Sequence, residues 1–176
     1  LIHVVRASAD ITDEHRFIVI GSQAILGSRE DLPPEMLYSM EADLYPADAP
    51  EKAIEVDGGI GEGSMFQETY GYYAHGIGPE TAKCPSGWEG RLVVLGLESA
   101  SGRRITAECL EPHDLVLSKC AAGRERDWEF AESALREGIV DIAVLRSRAG
   151  TLPVDEDRIE AVRRMLDGLE TRANRS

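Results

Sequence analysis

Phe17-Ile18-Val19-Ile20-Gly21-Ser22-Gln23, followed about twenty residues later by Ser39-Met40-Glu41-Ala42-Asp43-Leu44-Tyr45, is the stretch that decides the fold. The first segment is an apolar run rich in β-branched residues that stops abruptly at Gly21-Ser22. It reads as a buried strand entering a tight turn. The second carries two carboxylates two residues apart. In a strand, residues i and i+2 point to the same face, so Glu41 and Asp43 project side by side. Carboxylates that close repel one another unless positive charge lies between them. A hard divalent cation, Mg²⁺ or Mn²⁺, takes such oxygen ligands and shares them with substrate phosphates. Glu41 and Asp43 are therefore the candidate metal ligands.

Outward from this stretch the pattern is mixed. Residues 1–9 read as the end of a helix, 13–15 as a turn and 16–20 as the strand. Ala24-Ile25-Leu26 reads as the start of a helix at the strand's foot. Residues 29–35 form a loop in which Pro33-Pro34 excludes regular structure. Residues 39–45 make the second strand, closed by Pro46, and Pro50 opens a short helix through Val56. The glycine-rich run 57–64 invites a phosphate-loop reading. It fails the G-x-G-x-x-G spacing, because Phe66 occupies the third glycine's slot, and it lacks a P-loop lysine. A flexible turn leading into a helix capped by Ser64 is the plainer reading, since Ser64 and Gln67 have capping-box spacing. Residues 70–77, 92–95 and 105–110 read as strands, the last two joined by a turn at Ser101-Gly102. Beyond residue 112 every segment has a helical pattern, at about 112–122, 125–137, 139–147 and 155–170. Gly138, Gly150 and Pro153 punctuate it, and Glu160 with Arg163 and Arg164 marks a solvated face.

Composition narrows the class. With 176 residues, 43% apolar and 29% charged, the chain suits one soluble domain with one core. No apolar run approaches the ~20 residues needed to cross a bilayer, and no basic-then-apolar leader opens the sequence, so a cytoplasmic protein without a membrane partner is expected. The net charge of −13 and pI near 4.7 do not attract nucleic acid through bulk electrostatics. An RNA partner would need a local basic rim, for which Arg103, Arg104, Arg124 and Arg126 are available. Cys84, Cys109 and Cys120 are odd in number and lack CxxC spacing, which favours reduced thiols over disulfides. A zinc site combining them with His75 and His113 has no supporting ligand spacing.

A second signal lies in Asp114-Leu115-Val116-Leu117-Ser118-Lys119-Cys120-Ala121-Ala122-Gly123-Arg124-Glu125-Arg126-Asp127. Its Lys119-x-x-Ala122 and Arg126-Asp127 elements resemble a segment of the AbiEii/MenT-type nucleotidyltransferases, many of them toxins of toxin–antitoxin pairs. With Gly21-Ser22 and Glu41-x-Asp43, four blocks occur in the family's order across residues 17–130. The resemblance implies an α/β (α+β) architecture, a nucleotidyltransferase-fold mixed sheet flanked by helices. Residues 1–110 would form the core, and 111–176 a C-terminal helical segment packed on it.

The resemblance also implies an activity, the Mg²⁺-dependent transfer of NMP from NTP to an acceptor hydroxyl, on a tRNA 3′ end or a protein, and an antitoxin partner. In that reading Glu41 and Asp43 hold the metal. The Gly21 turn brings backbone close to phosphate, Ser22 donates to it, and Lys119 neutralises the β- or γ-phosphate. Asp127 orients or deprotonates the acceptor, or adds a metal ligand. Lys119 and Asp127 are eight residues apart, so one helix face presents both if the helix continues through Gly123. The chain departs from the family in its long Pro33-Pro34 segment, in Glu41 where Asp is commoner, and in Trp128-Glu129-Phe130 after Asp127. These favour the alternative, a catalytically degenerate member that binds a nucleotide or a partner. Tyr70, Tyr72 and Tyr73 admit base stacking, though packing is the simpler role. His75 admits a general-base role, with a satisfied structural histidine as the simpler reading.

Overall fold

The computed structural model describes residues 1–29 and 31–173. The apolar run forms β1 (Arg16–Val19), the central strand of a five-stranded sheet. Phe17, Ile18 and Val19 are all buried. A strand buried on both faces needs a layer of structure on each side, and both are present.

β2 (Glu41–Pro46) runs antiparallel to β1, pairing Phe17 with Pro46 and Val19 with Leu44. β3 (Tyr73–Gly76) runs parallel to β2, setting Glu41 beside Tyr73 and Asp43 beside His75. On the other side of β1, β5 (Arg104–Cys109) is parallel to it, and β4 (Val93–Glu98) closes the edge as an antiparallel hairpin with β5. The mixed α/β fold expected from the sequence is the one observed.

One layer comprises α1 (Ile2–Thr12), α2 (Ala53–Ile60) and α3 (Met65–Tyr70), with α2 packed on β3 and on α1. The other is built from α4 (Pro112–Ala122), α5 (Glu125–Arg136), α6 (Ile142–Ala149) and α7 (Glu156–Ala173). These pack on one another, and α4 packs on the turn that follows β1. α4 opens with Pro112 at its first position, where the missing N–H costs nothing. Its first turn is clamped by ions. Asp114, fully buried, accepts from Arg91 Nε at 2.7 Å and from Arg148 Nη1 at 3.0 Å. Arg148 also reaches Glu111 at 2.6 Å, tying α6 to the start of α4. Leaving the buried Asp114 without these partners would cost about 3–5 kcal/mol.

Several local expectations change. The segment after Ser22 is a 3-10 turn (Ser22–Gly27), not an α-helix, short because it is held between the sheet and α4. Residues 57–60 belong to α2 rather than to a flexible turn: packing of Val56 and Ile60 carries the helix through Gly58 and Gly59. Tyr70 ends α3, so the strand begins only at Tyr73. Ser64 caps α3 as expected, accepting from Gln67 N at 3.2 Å. α6 begins at Ile142, where the Asp141 side chain caps it.

Candidate active site

Because β2 and β3 are parallel and in register, their alternate residues form one cluster. His75 Nδ1 lies 3.0 Å from Glu41 Oε1 and 3.1 Å from Asp43 Oδ1, while the Tyr73 hydroxyl donates to Glu41 Oε2 at 3.1 Å. Glu41 and Asp43 thus lie on one sheet face, as the i, i+2 spacing requires.

The electrostatics follow from burial and crowding. Burial, then the adjacent Glu41, push the Asp43 carboxyl up to about 6 against the opposing pull of His75. Burial also works to raise Glu41, but hydrogen bonds from Asp43, His75 and Tyr73 outweigh it and hold Glu41 below its ordinary value. Burial works to lower the imidazole, and the two carboxylates reverse that, raising it. Among the described residues of the sheet, His75 is the nitrogen base that faces both acids. A divalent cation fits this donor set: one ligand atom from each of Glu41, Asp43 and His75 lies within 4.8 Å of the others.

β1 delivers its turn to the same place. A Cβ at Gly21 would overlap Asp43 Oδ2, so only glycine allows the end of β1 to pass the carboxylate this closely. Ser22 follows, and its Oγ accepts from Lys119 Nζ at 2.8 Å. Lys119 comes from α4 and lies over the Phe130 ring, 4.6 Å from its centre. Asp127 meets it from α5 at 3.3 Å and accepts from the Arg124 amide through its other oxygen, also at 3.3 Å. Burial lowers the Lys119 ammonium's pKa, against the opposing effect of Asp127.

Lys119 and Asp127 meet by a route other than one continuous helix. Gly123 has φ +71°, ends α4 and turns the chain into α5. The two residues therefore face each other across a helix–turn–helix corner. Gly21, Ser22, Glu41, Asp43, Lys119 and Asp127 all line one cleft of about 350 Å³. His75, for which the sequence favoured a structural role, is half exposed at 48% and lines the same cleft. Nothing in its sequence spacing links it to the acids, since only the parallel register of β3 on β2 brings it there.

Other residues are distributed differently from the expectation. Arg124 and Arg126 line the cleft, but Arg104 opens β5, at the sheet end where β1 also starts, opposite the cleft. Arg103 precedes it and bonds to Asp13 and the Ala9 carbonyl. Tyr70 and Tyr72 pack with His3 and Phe66 outside the cleft, in an aromatic cluster, whereas Tyr73 orients Glu41. The Pro33-Pro34 segment folds over α5, where Glu35 accepts from Arg136 at 2.6 Å and from Ser133 at 3.2 Å. All three cysteines are free and buried. Among the described residues no helix is long and apolar enough to cross a membrane.

No curated protein and no solved structure shows significant similarity to the chain. A family model does match, over residues 1–166, and its description is a nucleotidyltransferase of unknown function, DUF6036. That span contains the sheet, the cleft and every residue described around it, and the chain belongs to this nucleotidyltransferase family.

Proposed function

We propose that the protein transfers a nucleoside monophosphate from an NTP to an acceptor hydroxyl, in a reaction dependent on Mg²⁺ or Mn²⁺. The observation that carries this reading is the convergence, in one cleft, of the Gly21-Ser22 turn, the Glu41/Asp43 pair and Lys119. These parts come from three separate elements of the chain. A cation held by Glu41 and Asp43 would neutralise the triphosphate and stabilise the attacking and leaving oxygens.

The protein's own groups do the rest by position and charge, which is how phosphoryl-type transfers are catalysed. Ser22 Oγ accepts from Lys119 and keeps its own proton to donate to a phosphate oxygen. Lys119 contributes a compact cation in a site largely closed to water, its side chain being 14% exposed. Asp127, 6% exposed and bonded through both oxygens, holds that ammonium in place and fixes the start of α5. In the reaction the acceptor oxygen bonds to the α-phosphorus while the bond to the bridging oxygen breaks. Pyrophosphate leaves, and the hydroxyl proton is released.

The acceptor is a tRNA 3′ end or a protein hydroxyl, and Arg124 and Arg126 beside the cleft favour a polyanion. The resemblance to AbiEii/MenT-type enzymes supports a toxin role with an antitoxin partner. A binding-only role is the second reading, supported by Glu41 where Asp is commoner and by the long Pro33-Pro34 segment. Incubation with each α-labelled NTP, Mg²⁺ or Mn²⁺, and total tRNA or cell protein tests the proposal. Label from the α- but not the γ-phosphate should enter an acceptor. No labelling with any NTP and either acceptor class, with NTP binding intact, would favour the binding role.

A further inference from the structure

The acids have a nitrogen partner that a magnesium site would not need. We infer that His75 is a third metal ligand, through Nδ1, and that the cleft selects Mn²⁺ over Mg²⁺. The inference rests on the proposed metal site and specifies its ion.

Three observations support it. The first is the spacing: an octahedral ion with bonds of about 2.1 Å holds neighbouring ligand atoms about 3.0 Å apart. His75 Nδ1 is 3.0 and 3.1 Å from one oxygen each of Glu41 and Asp43. Those separations fit a nitrogen ligand adjacent to each carboxylate oxygen. The second is support: Tyr73 donates to the other Glu41 oxygen, leaving Oε1 turned toward the imidazole. A hydrogen bond of this kind fixes a ligating carboxylate. The third is access, since His75 and both acids line the cleft and His75 stands at its solvent side.

The donor set then decides the ion. Mg²⁺ is hard, keeps its waters and prefers oxygen alone. An imidazole nitrogen suits transition ions, and two carboxylates with open positions for water or phosphate suit Mn²⁺. Neutral imidazole displaces one water from Mn²⁺ at little cost, whereas Mg²⁺ gains little from the same exchange.

The test uses the full chain and Mn²⁺ alone, followed by electron paramagnetic resonance, with Mg²⁺ as the competitor. Wild type should bind Mn²⁺, and spin-echo spectra should show ¹⁴N modulation from a bound imidazole. His75→Ala should lose the modulation and weaken Mn²⁺ binding about tenfold or more, with Mg²⁺ affinity changed much less. His75→Asp supplies oxygen in place of nitrogen and should still bind metal, without modulation and with preference shifted toward Mg²⁺. Absence of ¹⁴N modulation in wild type, or a Mn²⁺/Mg²⁺ affinity ratio unchanged in both variants, would overturn the inference. Mn²⁺ bound without nitrogen but lost in Asp43→Asn would remove His75 and leave the carboxylate site standing. Mn²⁺ binding unchanged in Asp43→Asn would remove both.

Discussion

At Gly21 a missing side chain decides whether the site exists. The end of β1 can pass Asp43 only because there is no Cβ to strike its carboxylate. Gly21→Ala should push Asp43 aside or shift the turn, costing about 1–3 kcal/mol by overpacking. Metal-dependent NTP binding should be lost well before the fold is, as read by calorimetry beside a thermal melt. Asp43 offers a second prediction, in pH. Its folded carboxyl sits near 6 against an ordinary 3.8, so between those values the folded chain holds more of the proton than the unfolded one. The stability this contributes is complete below the unfolded value and is lost as pH rises through about 6. Two units correspond to about 3 kcal/mol as an order of magnitude. Glu41 and His75 titrate beside it, so the useful readout is the difference between wild type and Asp43→Asn. In metal-free buffer, urea unfolding of wild type should lose more stability between pH 4 and 8 than Asp43→Asn does. Parallel pH profiles would mean that Asp43 is not strained.

The helices and strands owe their positions to a few residues that act on whole elements. Glu111 is one. Burial works against its charge, yet His113 and Arg148 bond to it strongly enough to hold its carboxyl down to about 2. A carboxyl lowered on folding stabilises the protein above its unfolded value and loses that contribution as pH falls. The window is about pH 4.5 down to 2, worth about 3 kcal/mol as an order of magnitude. Glu111→Gln should be less stable at pH 6, with a flatter acid limb in denaturant unfolding. An acid limb as steep as that of wild type would show that Glu111 does not carry this pH dependence. Elements with strong local signals were legible in the sequence. Pro112 and Gly123 bound α4 where their chemistry requires, and the alternation at 41–45 marks β2. The second half of α2 was not, because Gly58 and Gly59 lower helix propensity and tertiary packing of Val56 and Ile60 carries the helix through them. Tyr70 looks like a strand residue by type, but the Ser64 cap and its packing on Phe66 draw it into the end of α3 instead.

Across the whole molecule, charge and topology pull apart. The chain carries −13 overall, yet the cleft gathers Lys119, Arg124 and Arg126 opposite its own acids. The strand-end turn and the paired acids were legible in the sequence as local patterns, whereas Lys119 stood out only through the resemblance of its segment. His75 was not, since its place depends on a parallel pairing of strands about thirty residues apart in the chain. Nor was the meeting of Lys119 with Asp127 across a break at Gly123, which needs the α4–α5 corner to exist first. In the proposed reaction one cleft binds the nucleotide through a metal held by β2 and a cation held by α4. The most direct measurement is calorimetric titration with a non-transferable NTP analogue, with and without Mn²⁺ or Mg²⁺, for wild type, Asp43→Asn and Lys119→Ala. Binding to wild type should require the metal, Asp43→Asn should lose that metal dependence, and Lys119→Ala should bind at least about tenfold more weakly, equivalent to about 1.4 kcal/mol. Equal binding with and without metal, or the same affinity in all three proteins, would contradict it.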